Sequence, residues 1–363
     1  MPIQTAIDSI SNNQGSPFGF KNRIINGGMV IDQRSAGAST TVTSNGYYSC
    51  DRWTTYASQS SKYSIQQNAG SVTPPAGFSN YIGVTSLSAY SITSTDYFSL
   101  LQQIEGYNIA DFAWGTVNAV TVTLSFWVRS SLTGTFGGAL RGGSGANRSY
   151  PFTYTISSAN TWEQKTITIA GDTTSAWTTN NGSGLIVYFG LGVGSTYSGT
   201  AGSWQASGLN SATGATSVVG TNGATFYITG VQLEKGTQAT SFDYRPFGTE
   251  LQLCQRYFQK SYDILTDKLG TVTTTGEVRW VAATVAGESA PTVMLPVVMR
   301  TTPTIIFYNT QTGASGSVYN YSASTSTAMT GTNVSGSRGW SGGNSSFTAG
   351  HIIGYHYGAT AEL

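Results

Sequence analysis

The sequence predicts an all-β chain: two antiparallel β-sandwich, jelly-roll-like domains joined by a short helix. Three observations lead there. Short apolar runs alternate with a period of two, Gly/Ser/Asn-rich turns separate them, and a single helix-like segment breaks the pattern two thirds of the way along. At 363 residues the chain is long for one sandwich and suits two, each with its own core.

Composition narrows the class further. The chain has 45 Gly, 12% aromatic, 39% hydrophobic and 9% charged residues, where soluble proteins average about 25% charged. Sparse charge argues against a solvated helical protein, and the aromatic content argues against disorder. Lys plus Arg number 17 against 16 Asp plus Glu, a net charge of +1 without a basic run. The electrostatic footprint of a nucleic-acid binder is therefore missing. The opening MPIQTAIDSISNN lacks the basic and apolar regions of a signal peptide, and no apolar run approaches the ~20 residues of a bilayer span. A soluble product made in a cytosol, without membrane insertion, is expected. Cys50 and Cys254 lie far apart without metal-like spacing, so buried, reduced thiols are expected, with no metal and no cofactor.

Taken in order, residues 1–20 form a polar arm in which TAIDSISNN can make one helical turn and Gly15, Pro17 and Gly19 stop anything longer, a candidate docking tether. Residues 21–245 form the first sandwich. In AVTVTLSFWVR, Val120, Val122, Leu124, Phe126 and Val128 share one face, while Trp127 and Arg129 share the other. Trp127 marks an interface or packs under a loop or the arm. KTITIAG (165–171), LIVYFGLGV (185–193) and ATFYITGVQL (224–233) repeat the pattern. GGALRGGSG (137–145) lacks the following Lys-Ser/Thr of a phosphate loop and reads as a turn. Residues 195–223 form a Gly/Ser/Thr stretch long enough to be functional or disordered. Residues 246–260 form the linker helix, capped by Thr249, with Glu250 suiting its N-terminus and Leu251, Cys254 and Phe258 making an apolar stripe. Residues 261–363 resume strand character as the second sandwich.

Specific blocks go beyond pattern. NRIINGGMVIDQRS, GYYSCDRW, LSFWVRSS, TFYITGVQLEKGTQATSFDYRPFGTELQLCQRYF and LPVVMRTTPTIIFYN, with a terminal ATAEL, occur in that order. Together they resemble a family of tailed-bacteriophage virion proteins of the tail fibre or minor structural protein type, whose first domain looks like a jelly-roll carbohydrate-binding module. The resemblance spans residues 21–308 and the last few residues, and it transfers no catalytic or sugar-binding residue. It implies a homotrimer on a virus particle, held to other virion proteins through the N-terminal arm.

No chemistry-bearing constellation stands out. His351 and His356, five apart on an extended segment, point to opposite faces and share neither a metal nor a proton. Glu234, Asp243 and Glu250 belong to the junction, and Asp32 and Asp51 stand beside Arg34 and Arg52 in turns, so no carboxylate pair suggests glycoside hydrolysis. DTTSAW offers oxygens for calcium at an undiagnostic spacing. The chain is expected not to be an enzyme. Recognition remains, and sugars bind aromatic platforms rimmed by polar groups. The ligand-binding candidates are loop residues: Trp177, Tyr197 and Trp204 in the first domain, Arg338 and Trp340 in the second. Each loop tryptophan is either a lid packed on its domain or an exposed contact. The function expected is a non-enzymatic virion protein, a short tail fibre or similar appendage that adheres to host-surface polysaccharide. The alternatives are a capsid-decorating or head-fibre protein with a purely structural role and, third, a polysaccharide depolymerase.

Overall fold

The computed structural model describes residues 20–282, 291–329, 334–342 and 347–363, so the expected N-terminal arm lies outside the described residues. The chain divides into two compact units. The first holds the residues up to Val30, Ser39–Pro246 and Leu363; the second holds Ile31–Ala38 and Phe247–Glu362.

The first unit stacks two antiparallel sheets. One contains β1 (Thr40–Thr41), β3 (Tyr63–Gln67), β4 (Ile82–Ser86), β6 (Val122–Ser130), β9 (Glu163–Ile169) and β13 (Thr225–Lys235), in the order β1-β3-β4-β13-β6-β9. The other contains β2 (Thr54–Ala57), β5 (Tyr97–Glu105), β7 (Gly134–Gly142), β8 (Ser149–Ile156) and β10 (Ser183–Val193), in the order β2-β5-β10-β7-β8. Alternation decides which side chains lie between them. Val122, Leu124, Phe126 and Val128 of β6 and Leu185, Val187, Phe189 and Leu191 of β10 are fully buried in one core, with Phe126 and Phe189 edge to face at 5.0 Å. Trp127, on the outer face, is half-buried beside Gly230.

One glycine-rich stretch departs from its sequence reading, and a second is ordered. Residues 137–142 are no turn but part of β7. A Cβ at Gly138 would stand 2.2 Å from the Tyr188 carbonyl oxygen and 2.5 Å from the Phe152 ring, and one at Gly137 would stand 2.5 Å from Ser211 Oγ. These glycines answer close cover on both faces of the strand, which composition alone cannot distinguish from a turn. Residues 195–223 are likewise folded. They carry the short parallel pair β11 (Ser198–Gly199) and β12 (Ser211–Ala212), lay Ser211 over Gly137 and Gly190, and send Val218 and Val219 into the core.

The second unit is organised on β22 (Ile352–Thr360). Its first half pairs with β15 (Val278–Val281) and β18 (Ser317–Asn320), and its second half pairs with β14 (Phe258–Lys260) and β17 (Thr304–Tyr308). β19 (Thr325–Ala328) extends from β18, and β16 (Val293–Met294), β20 (Val334–Gly336) and β21 (Gly339–Ser341) form a separate three-stranded sheet. Its core gathers Phe307, Val318, Trp340, Ile353 and Tyr355. The helix α1 (Phe247–Gln255) starts directly after Pro246, whose fixed φ suits a helix start, so Thr249 lies inside the first turn instead of capping it. Phe258 opens β14 instead of continuing the helical stripe, and the Arg34 guanidinium lies 3.8 Å over its ring. Both cysteines are free and buried.

Candidate functional site

Trp177 and Trp204 close one end of the first sandwich together with Trp114. The three indoles meet edge to face at 4.8, 5.2 and 5.5 Å, and each donates its Nε1 proton inward: Trp114 to the Val120 carbonyl, Trp177 to Asp172 Oδ2 and Trp204 to the Ala170 carbonyl. Trp177 is 8% exposed and Trp204 half-buried. Asp172 of DTTSAW is taken by Arg148 at 2.9 Å and by Thr174. Burial would raise its carboxyl pKa, but the bonds from Trp177, Thr174 and Arg148 hold it below the usual range.

In the second unit, Trp340 is 1% exposed and packs on Phe307 and Tyr357, each at 5.3 Å. Arg338 is exposed at the turn before β21, and both line an open pocket of about 440 Å³ with Met294. The flanking residues 330–333 and 343–346 lie outside the described residues.

Tyr197 belongs to a different arrangement, built on the outer face of the five-stranded sheet. Tyr56 of β2, Tyr97 of β5 and Tyr188 of β10 all project from this face, as the registers Tyr56↔Ser99 and Tyr188↔Leu101 require. Tyr56 meets Tyr188 at 5.9 Å and Tyr97 at 6.2 Å, and Tyr97 meets Tyr197 edge to face at 5.2 Å. The result is an aromatic trail across three strands and one loop. Tyr188 is buried; Tyr56, Tyr97 and Tyr197 are half-exposed.

Local chemistry explains why Tyr197 reaches Tyr97. Asp96 Oδ2 accepts from the Thr93 N–H, the Thr93 hydroxyl and the Tyr90 hydroxyl, while Oδ1 accepts from Ser58 Oγ, which in turn accepts from the Tyr97 N–H. Burial works to raise this carboxyl pKa, but those bonds bring it down to about 2. The turn so fixed receives the next loop. Gly194 donates to the Asp96 carbonyl and Thr196 to the Ser94 carbonyl, and only a glycine fits at 194, because a Cβ would stand 2.1 Å from the Thr93 carbonyl oxygen.

The same loop carries the polar rim. The Asn210 N–H donates to the Tyr197 carbonyl at 2.8 Å, and its Oδ1 accepts from Arg141 Nη1 at 3.0 Å. Arg141 is half-buried on β7, beside Tyr188. Burial pushes the Tyr188 phenol pKa up, and the guanidinium opposes that rise. Among the described residues, no protein group hydrogen-bonds the hydroxyl of Tyr97 or Tyr197. Of the residues on this face the sequence reading named Tyr197 as a candidate and did not name Tyr56, Tyr97, Arg141, Tyr188 or Asn210. Period-two alternation assigns Tyr97 and Tyr188 to the outer face, but Arg141 was hidden in a stretch read as a turn.

Three of the carboxylates named from the sequence hold structure together. Glu234 accepts from Gln232 and Thr240, Asp243 accepts from the Lys21 and Asn22 N–H groups, and Asp32 accepts from the Ser35 and Gly37 N–H groups. His356 is buried, stacked on Tyr262 at 3.9 Å, with Nε2 donating to the Thr273 carbonyl and Nδ1 accepting from Ser261. His351 takes Asn320 instead. Among the described residues no cluster of three His, Cys, Asp or Glu could hold a metal.

No family model matches the chain, and no curated protein matches it. Several solved structures are similar in shape. The enzymatically active domain of bacteriophage CBA120 tailspike protein 4 is 12% identical at a TM-score of 0.34, covering 59% of this chain. The chain spans 21% of that tailspike's length. The family 11 carbohydrate-binding module of the Clostridium thermocellum cellulase Lic26A-Cel5E is 9% identical at 0.28, covering 56% of this chain and 99% of the module. The N-terminal cellulose-binding domain of Cellulomonas fimi β-1,4-glucanase C is 12% identical at 0.23, covering 44% and 80%. Likenesses this distant decide neither family nor activity.

Proposed function

We propose that the chain is a non-enzymatic virion protein of a tailed phage, a short tail fibre or similar appendage, whose first unit adheres to host-surface glycans through the tyrosine face. The half-exposed Tyr97–Tyr197 pair, with both hydroxyls open and the Arg141–Asn210 pair on the same face, carries the glycan reading. Sugar rings stack their C–H faces on such aromatics and hydrogen-bond to the polar groups around them. A rigid sheet holds the strand-borne tyrosines, and ordering cost on binding is correspondingly small. The ordered sequence blocks of the virion-protein resemblance carry the phage reading. Residues 1–20 serve as the arm that docks on other virion proteins, and a homotrimer multiplies weak single-site affinity by avidity. The pocket beside Arg338 and Trp340 is a second candidate contact, in the second unit.

Binding of fluorescently labelled protein to a panel of bacterial cells and their extracted polysaccharides tests this. Saturable binding that is lost in Tyr97→Ala and Tyr197→Ala supports it, and no binding by the folded protein overturns it. The bound polysaccharide keeps its chain length; shortening would mean a depolymerase.

One observation favours the structural alternative, a capsid-decorating or head-fibre protein. Phe78, Phe242 and Tyr244 form a mutual ring cluster at 4.9–5.6 Å from which Tyr244 stands 59% exposed, an apolar contact suited to another protein. Many copies on the capsid, in place of few at the tail, would decide for it.

A further inference from the structure

Several arginines of this chain are neutralised by carboxylates. Arg23, Arg34, Arg148, Arg245 and Arg279 each stand against a carboxylate, respectively Asp111, Glu362, Asp172, Asp243 and Glu277. Arg141 is different. Among the described residues no carboxylate lies within ion-pair distance of it, and the groups beside it are the neutral Asn210 amide oxygen and the Tyr188 phenol. The neighbouring backbone presses on it as well, for a Cβ at Gly208 would stand 2.6 Å from Nη2 and 2.9 Å from Cζ. One side of the guanidinium is thus covered, Nη1 is held by Asn210, and the group is half-buried. A half-buried guanidinium with no counter-charge at hand is open to an incoming anion. Held in one orientation, its planar fork matches the paired oxygens of a carboxylate or sulfate.

We infer that the tyrosine face selects anionic glycans, with Arg141 as the specificity residue that binds a sugar carboxylate or sulfate while Tyr97 and Tyr197 stack the adjoining ring. This rests on the glycan reading above. Asn210 is the positioning residue: its side chain aims the guanidinium, and its N–H ties that aim to the loop bearing Tyr197. A single charge-assisted fork makes the charged sugar about tenfold tighter than its neutral counterpart at low salt, and the advantage shrinks as ionic strength rises.

The test titrates the whole chain with three trisaccharides that differ at one position: glucose, glucuronate and glucose 6-sulfate. Both anions, or one of them, binding about tenfold tighter than the neutral sugar supports the inference, and the tighter anion names the group. Two variants check the assignment. Arg141→Gln brings the charged-to-neutral affinity ratio to about one. Asn210→Asp does the same by a different route, since it gives Arg141 a carboxylate of its own while keeping the loop bridge, and its thermal unfolding stays at or above the wild-type value. Equal affinity for charged and neutral sugars, or a preference that survives both substitutions, overturns the inference alone. Failure of all three sugars and of bacterial polysaccharide to bind overturns the glycan reading and this inference with it.

Discussion

Asn210 joins Tyr197 to Arg141: its backbone N–H donates to the Tyr197 carbonyl at 2.8 Å, and its side-chain oxygen accepts from the Arg141 guanidinium at 3.0 Å. One residue therefore couples the aromatic half of the candidate site to its charged half. Disturbing the loop at either end should be felt at both.

Gly194→Ala is the sharpest way to disturb it. The new methyl would meet the Thr93 and Ser94 carbonyl oxygens at 2.1 and 2.4 Å, and backbone atoms cannot swing away as a side chain can. We expect a loss of about 1–3 kcal/mol in denaturant unfolding, together with loss of polysaccharide binding as Tyr197 leaves Tyr97. Wild-type stability in this variant would refute the close approach.

Asp96 predicts an acid limit. Its folded pKa of about 2 lies below the ordinary value of 3.8, so the stabilisation is present above about pH 4 and is lost as pH falls through 2. Asp96→Asn should flatten that part of the stability profile and cost about 1–2 kcal/mol at neutral pH, because the Thr93, Ser58 and Tyr90 donors lose their charged acceptor. Chemical denaturation between pH 2 and 7 measures both.

His356 predicts a second, milder dependence in the other unit. Burial lowers its pKa below 6.5, and the bonds to Thr273 and Ser261 fit the neutral Nε2–H tautomer. The unfolded chain therefore takes up a proton first as pH falls. Stability should be full above about pH 6.5 and decline below it until the folded imidazole also protonates. His356→Gln should remove that slope; an unchanged slope would assign it to another group.

Gly138→Ala tests why β7 is rich in glycine. Its methyl would press into the Tyr188 carbonyl oxygen and the Phe152 ring from within the sandwich. The expected cost is about 1–3 kcal/mol, where a glycine in an ordinary turn would tolerate alanine far better. Equilibrium unfolding of the variant distinguishes the two.

The strands of β6, β10 and β13 were legible because inside-outside alternation is a local property: Val122, Leu124, Phe126 and Val128 need no knowledge of their partners to declare a buried face. Tyr197 was legible for a related reason, a large ring among small loop residues that cannot cover it. β7 was not legible, since Gly137 and Gly138 respond to Ser211, Tyr188 and Phe152, all distant in sequence. The start of α1 differs from the reading by three residues, because the sequence does not say which of Pro246 and Thr249 sets it.

By itself, then, the sequence determined an all-β chain of low charge with its core faces and one short helix in place, because those depend on composition and on periods of two and 3.6. The tertiary structure alone decided that β22 serves two sets of strands with its two halves, and that residues 56, 97, 141, 188, 197 and 210 share one face. Strand register and loop cover bring those residues together, and both are set by contacts between segments that no local pattern records.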